Sequence, residues 1–187
     1  LRYETHGETG NPIVFVHGLT CSLENWRFQV AHFSETHKVV ACDLRGHGQS
    51  SVGDDPVCVE SFGADVAALL SHLDLNDVTL VGHSMGCRVV IEACRIDPER
   101  VGKVVLADGS RRTAGGSADE REARIRDAVR DQGYENYHRA QFAAMFTADS
   151  DPVLWDATME QCATTPEAVG VASSISIHRW DAGRIDA

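Results

Sequence analysis

The stretch VTLVGHSMGCRVVIEACRI, Val78 to Ile96, constrains the fold of this chain more than any other. Val78-Thr79-Leu80-Val81 is short, β-branched and apolar, as in a parallel strand covered on both faces. Cys87, Val89, Val90, Ile91, Ala93, Cys94 and Ile96 then place apolar groups nearly all round a helix, which is expected to be central and buried. Between the two lies Gly82-His83-Ser84-Met85-Gly86, a G-x-S-x-G pattern. A strand reverses into a helix this sharply only if the residues flanking Ser84 lack side chains that would meet neighbouring backbone. Ser84 is thereby held at the tip of the turn, its hydroxyl toward solvent or substrate and the free N–H groups of a helix N-terminus beside it. The five-residue pattern alone arises by chance; the strand before it and the helix after it make it specific.

The rest of the N-terminal part alternates in the same manner. Leu1 to Gly10 reads as the end of a strand and a polar turn, and Ile13-Val14-Phe15-Val16 as a strand that ends at His17-Gly18-Leu19-Thr20. Ser22 is placed to cap a helix holding Trp26, Phe28, Val30 and Phe33. A third strand, Val39 to Cys42, leaves through Asp43-Leu44-Arg45-Gly46-His47-Gly48-Gln49-Ser50. Gly46 and Gly48 could suggest a dinucleotide fingerprint, but the third glycine would fall on Ser51 and no helix begins there, so a structural turn is the better reading. Phe62, Val66, Leu69, Leu70 and Leu73 predict a helix starting near Ser61, and Val101 to Leu106 predicts another buried strand, ending at Ala107-Asp108-Gly109. Strand and helix alternating with short connections call for an α/β fold, a mostly parallel sheet with helices on both faces.

Beyond Ser110 the texture changes. Arg111 to Ala118 is a polar linker, followed by helical patterns near Asp119 to Arg130, Tyr134 to Phe146, Pro152 to Cys162 and Pro166 to Trp180. This divides the chain into a core over residues 1–110 and a helical lid over 111–187. Phe142, Met145, Phe146, Leu154, Trp155, Met159, Val169 and Ile177 form the lid's apolar side, of which a few are expected to face a substrate.

Taken together, HGLT at His17 to Thr20, DLRGHGQS at Asp43 to Ser50, GHSMG at Gly82 to Gly86 and VVLADGS at Val104 to Ser110 resemble the α/β-hydrolase superfamily. The resemblance is to its lid-bearing esterase, enol-lactonase and cofactor-free haloperoxidase-like branch. It implies a serine hydrolase in which Ser84 Oγ attacks the carbonyl of a small carboxylic ester, lactone or related compound and forms an acyl-enzyme. It further implies an oxyanion hole made by the backbone N–H groups of Leu19 and Met85. Serine at the elbow argues against the branches of this fold that use a carboxylate nucleophile. Asp108 ends a strand from which some members supply the acid; the other reading, a residue that turns the strand end, is preferred. The alternative function is a ligand-binding or receptor-like protein that keeps the fold without turnover, and a third reading is perhydrolysis or C–C bond hydrolysis by the same serine.

None of the nine histidines suits the base that family order places after the acid. His17 is close to the oxyanion loop and reads as structural, His83 is expected to point away from the nucleophile, and His138 and His178 fall on lid helices. The chain therefore reads as a fragment of a longer hydrolase, with the later part of the sheet, the acid loop and the histidine loop absent. Such a piece is expected to be inactive by itself, with an uncovered apolar edge strand. Trp180-Asp181 and Arg184-Ile185 look like the exit from the lid.

Charge and composition narrow the partners. The 187-residue chain carries 17 basic and 28 acidic residues, and both parts are acidic, which argues against nucleic acid or an anionic membrane. No apolar run is long enough to span a bilayer and no signal-peptide pattern opens the sequence. The six cysteines form no C-x-x-C pair and mostly lie in apolar segments, pointing to free thiols and a cytoplasmic location. No metal-ligand spacing occurs, so the expected partner is a small-molecule substrate, with no cofactor.

Overall fold

The computed structural model describes residues 1–109, 116–162 and 164–181. Five strands form one sheet: β1 (Tyr3–His6), β2 (Ile13–Val16), β3 (Val39–Cys42), β4 (Val78–His83) and β5 (Val101–Ala107), in the spatial order β1-β3-β2-β4-β5. β1 pairs antiparallel with β3 and every other pairing is parallel. Parallel neighbours need crossovers, and these are supplied by α1 (Arg27–Phe33), α2 (Val59–His72) and α3 (Met85–Ile96).

Each face of the sheet has its own core. Val14, Val16, Val40, Leu80 and Cys42 pack against Phe62, Val66 and Leu70 of α2 and Val89 and Val90 of α3. On the opposite face Ile13, Phe15 and Val39 meet Leu23 and Trp26, with the Phe15 and Trp26 rings 4.7 Å apart. The two helices of the first layer approach closely because α2 carries Gly63, where a Cβ would lie 2.6 Å from Cβ of Glu92.

Local capping settles some helix starts, and tertiary contacts settle others. Ser22 caps the 3-10 turn Leu23–Trp26 with Asn25 closing the reciprocal bond, so the expected cap is present one turn ahead of α1. α2 begins at Val59, ahead of the expected Ser61, because the Val59 N–H is satisfied by Ser176 Oγ at 2.7 Å from a helix 117 residues away.

β5 is where two expectations meet, a buried apolar strand and an uncovered apolar edge; Val104, Val105 and Leu106 are 37%, 46% and 37% exposed, against the first and in line with the second. The reason is positional: β5 pairs only with β4 and is the outer strand of the described sheet.

Four helices follow: α4 (Ala118–Gln132), α5 (Tyr134–Ala143), α6 (Pro152–Cys162) and α7 (Glu167–Arg179). Ser117 and Glu120 cap α4 reciprocally. α5 stops at Ala143, short of the expected Phe146, whose ring instead packs edge-on to Trp155 at 5.0 Å. The layer is tied to the core by the Ser176 bond, by Trp180 Nε1 donating to Glu92 at 3.3 Å and by Val169 lying over Gly46. Of the expected linker, residues 111–115 lie outside the described residues, as do Arg184 and Ile185.

Candidate active site

The elbow has the expected geometry. Ser84 sits between β4 and α3 with φ 52° and ψ −114°, a backbone conformation that costs a non-glycine residue free energy and that packing must hold in place. Its N–H donates to the Ala107 carbonyl at 3.0 Å and its carbonyl accepts from Cys87 N–H at 3.1 Å. Both flanking glycines are obligatory: a Cβ on Gly82 would collide with the Gly86 carbonyl, and one on Gly86 with the Val16 and His17 carbonyls. Cys87, at the start of α3, donates its thiol to Gly82 O at 3.1 Å and Ala107 O at 3.4 Å, stitching the elbow to β5. Burial pushes that thiol's pKa up, so it is held protonated.

The loop after β2 lies against the elbow. At Gly18 a Cβ would come 3.3 Å from Ser84 Cβ and 3.1 Å from His83 Nδ1. His17 fixes this loop from beneath. Its Nε2 accepts from the Leu44 N–H at 3.0 Å, so its Nδ1 is the protonated nitrogen and donates to Gly18 O at 2.7 Å. Burial, with His47 5.2 Å away, lowers its pKa to about 3 and keeps it neutral. The loop after β3 is structural too. Asp43 accepts from Leu23 N–H at 2.8 Å and Gln49 N–H at 2.9 Å, and Arg45 is gripped by both Asp65 oxygens at 2.6 Å.

Ser84, Gly18, Leu19 and Asp108 line one cleft of about 350 Å³. Its opposite wall comes from the C-terminal helices: Ile125 of α4, Tyr137, His138 and Phe142 of α5, and Ile177 and His178 of α7. Leu19 and Met85 N–H donate to no described acceptor. Asp108 has φ 48°, in keeping with a strand-ending turn, and it faces the same cleft as Ser84. His83 also lines the cleft, but its ring stands edge-on to Trp26 at 6.3 Å. Among the described residues no imidazole hydrogen-bonds to Ser84 Oγ, and no three His, Cys, Asp or Glu side chains converge as a metal site would require.

Sequence periodicity assigned Phe142, Met145 and Ile177 to an apolar side without distinguishing core from cleft; all three line it, whereas Met159 and Val169 are buried packing. It did not single out Tyr137, Gln141 or Ser174. It noticed His138 only as a lid histidine, yet this residue is 1% exposed with both ring nitrogens unpartnered, and burial lowers its pKa to about 4.

A family model described as the alpha/beta hydrolase fold matches residues 11–174. The chain belongs to this family. The alpha/beta hydrolase relatives include 3-oxoadipate enol-lactonase 2 of Acinetobacter baylyi, 34% identical over 134 residues that cover 71% of this chain and 49% of that protein. A non-heme chloroperoxidase of Streptomyces lividans is 42% identical over 102 residues, covering 52% of this chain and 36% of its own length. Among solved alpha/beta hydrolases, the enol-lactonase of Burkholderia xenovorans superposes with a TM-score of 0.84 at 26% identity, over 96% of this chain and 70% of that one. A bromoperoxidase of Bacillus anthracis gives 0.86 at 25% identity, over 98% and 71%. The chain thus spans half or less of the length of these two curated relatives.

Proposed function

We propose that this chain carries the nucleophile and oxyanion hole of a serine hydrolase acting on a small carboxylic ester, lactone or related carbonyl compound. The observation that carries this reading is Ser84 at a strained elbow tip, in one cleft with the Leu19 loop and beside the opening of α3. Ser84 Oγ bonds to the carbonyl carbon, its proton passes to a base, and the carbonyl electrons move onto oxygen. The resulting oxyanion is held by the Leu19 and Met85 N–H groups, each worth about 3 kcal/mol where charge develops. Collapse expels the alkoxide, which takes up a proton, and water then cleaves the acyl-enzyme. Asp108 turns the chain toward the cleft rather than acting as the acid, and α4 to α7 serve as a lid over residues 111–187. Cys42, Cys58, Cys87 and Cys94 are free thiols, which supports a reducing, cytoplasmic setting. No described helix is long and apolar enough to cross a membrane.

The second reading is a ligand-binding protein without turnover, supported by a cleft whose helical wall carries the apolar side chains of Ile125, Phe142 and Ile177. A fluorophosphonate probe separates the two. Stoichiometric labelling of the whole protein at Ser84, lost in Ser84→Ala, is expected; an unlabelled protein that still binds ligand in the cleft would establish the receptor.

A further inference from the structure

Three of the described histidines are almost wholly buried, and their ring nitrogens are provided for differently. His17 bonds through both, to the Leu44 N–H and the Gly18 carbonyl. His47 bonds through one, donating from Nδ1 to Arg45 O at 3.0 Å and leaving Nε2 unpartnered. His138 bonds through neither. It stands edge-on to the rings of Tyr134 at 4.6 Å and Tyr137 at 5.1 Å, which enclose it without supplying a hydrogen bond. A buried imidazole in this state has given up its bonds to water for nothing, so its retention points to a partner that arrives from outside.

Position and chemistry say what that partner is. Neither His17 nor His47 lines the Ser84 cleft, and His138 does. Gln141 follows His138 by three residues on α5, a spacing that puts neighbours on one helix face, and it lines the same cleft. From α7, His178 brings to the lining a further buried, unpartnered nitrogen, Nδ1. Burial lowers the pKa of His138 to about 4 and lowers that of His178 as well, so both rings are neutral. A neutral imidazole and a primary amide each donate and accept. The described lining holds no lysine or arginine, and its one carboxylate, Asp108, is on the sheet side. A ligand carboxylate would be desolvated here with no counter-ion, whereas a hydroxyl stays neutral and both donates and accepts.

We propose that the substrate of this cleft carries a hydroxyl group in addition to its ester or lactone carbonyl, and that His138 and Gln141 bind the hydroxyl while Ser84 faces the carbonyl. The proposal rests on the hydrolase reading for the role of Ser84. A ligand without the hydroxyl leaves the imidazole unpaired in a water-free site, and discrimination of that kind is stronger than a solvent-exposed bond would give. The cleft volume of about 350 Å³ restricts the ligand to a small molecule.

Calorimetric titration of the whole protein carrying Ser84→Ala tests this, with methyl hexanoate, methyl 3-hydroxyhexanoate, methyl 6-hydroxyhexanoate and monomethyl adipate as probes. The better of the two hydroxy esters is expected to bind about tenfold more tightly than methyl hexanoate, and monomethyl adipate no more tightly than methyl hexanoate. His138→Phe, which keeps a ring and removes both nitrogens, is expected to erase most of the preference, and His138→Gln to retain part of it. Gln141→Leu, at an exposed position, is expected to act in the same direction. Circular dichroism of each variant controls for folding. Equal affinity for the hydroxy esters and methyl hexanoate would leave His138 to a trapped water and overturns the proposal. So does tighter binding of monomethyl adipate than of either hydroxy ester, no binding of either hydroxy ester at millimolar concentration, or a preference that survives the double His138→Phe, Gln141→Leu change. Fluorophosphonate labelling of Ser84 in the unaltered protein is scored separately. A hydroxyl preference without labelling rejects the hydrolase and keeps the hydroxyl site, whereas labelling without the preference does the reverse.

Discussion

The two walls of the Ser84 cleft are built on different principles. On the sheet side, Gly18, Leu19, Ser84 and Asp108 come from turns at the carboxyl ends of β2, β4 and β5, and their positions are set by backbone. Thr20, Ser84 and Asp108 all hold φ near +50° there, three left-handed non-glycine residues gathered on one rim. Such conformations cost about 1–3 kcal/mol each and persist where surrounding packing dictates them. On the helical side, Ile125, His138, Phe142 and His178 reach the cleft as side chains of separate helices. A wall made of backbone keeps reacting atoms in register, whereas a wall made of side chains can change its shape and polarity without disturbing the chemistry.

If that division holds, changes to the sheet wall strike turnover and changes to the helical wall strike selectivity. Gly18→Val should have the largest effect. Its side chain would press on Ser84 Cβ and the His83 ring, displacing the Leu19 N–H, and a displacement of about 1 Å can lower kcat on the order of a hundredfold. Steady-state kinetics on an aryl ester would show the fall in kcat with KM little changed; a change in KM alone would break the comparison.

Acid comes next, because His17 supports the sheet wall only while neutral. Its folded-state pKa of about 3 lies below the ordinary 6.5, so the unfolded chain takes up the proton first as pH falls. The stabilisation is fully present above about pH 6.5 and is lost as pH drops toward 3, at up to ~1.4 kcal/mol per pH unit. Urea midpoints measured between pH 7 and 5 should decline on this account, and His17→Gln should flatten the slope. An unchanged slope in that variant would mean that other groups carry it.

The smallest effect is expected at Asp108→Asn. A residue that turns the strand end tolerates asparagine in a left-handed conformation, so kcat should stay within about twofold. A loss on the order of ten-thousandfold, the size seen when the acid of a serine triad is neutralised, would instead make Asp108 part of the catalytic machinery.

The elbow was legible because its requirements are local: two glycines, a serine between them, a β-branched run before and a helix after. The same holds for the Ser22 cap and the structural turn at Asp43 to Ser50. β2 and β5 show where this stops. Both are apolar strands, yet Val14 and Val16 are fully buried while Val105 is 46% exposed. Apolar composition marks a strand, but its burial depends on how many neighbours the sheet gives it.

The helical wall lay further out of reach. Helical periodicity placed His138 and His178 on helices but not on a common cleft, since that depends on how α5 and α7 are set over the sheet. By itself the sequence determined the sharp turn around Ser84 and the parallel α/β core, because those follow from backbone sterics and hydrophobic periodicity within short segments. Only the tertiary structure decided which side chains oppose Ser84 and which buried histidine is left without a hydrogen bond, because burial and hydrogen-bond pairing are properties of residues brought together from distant parts of the chain.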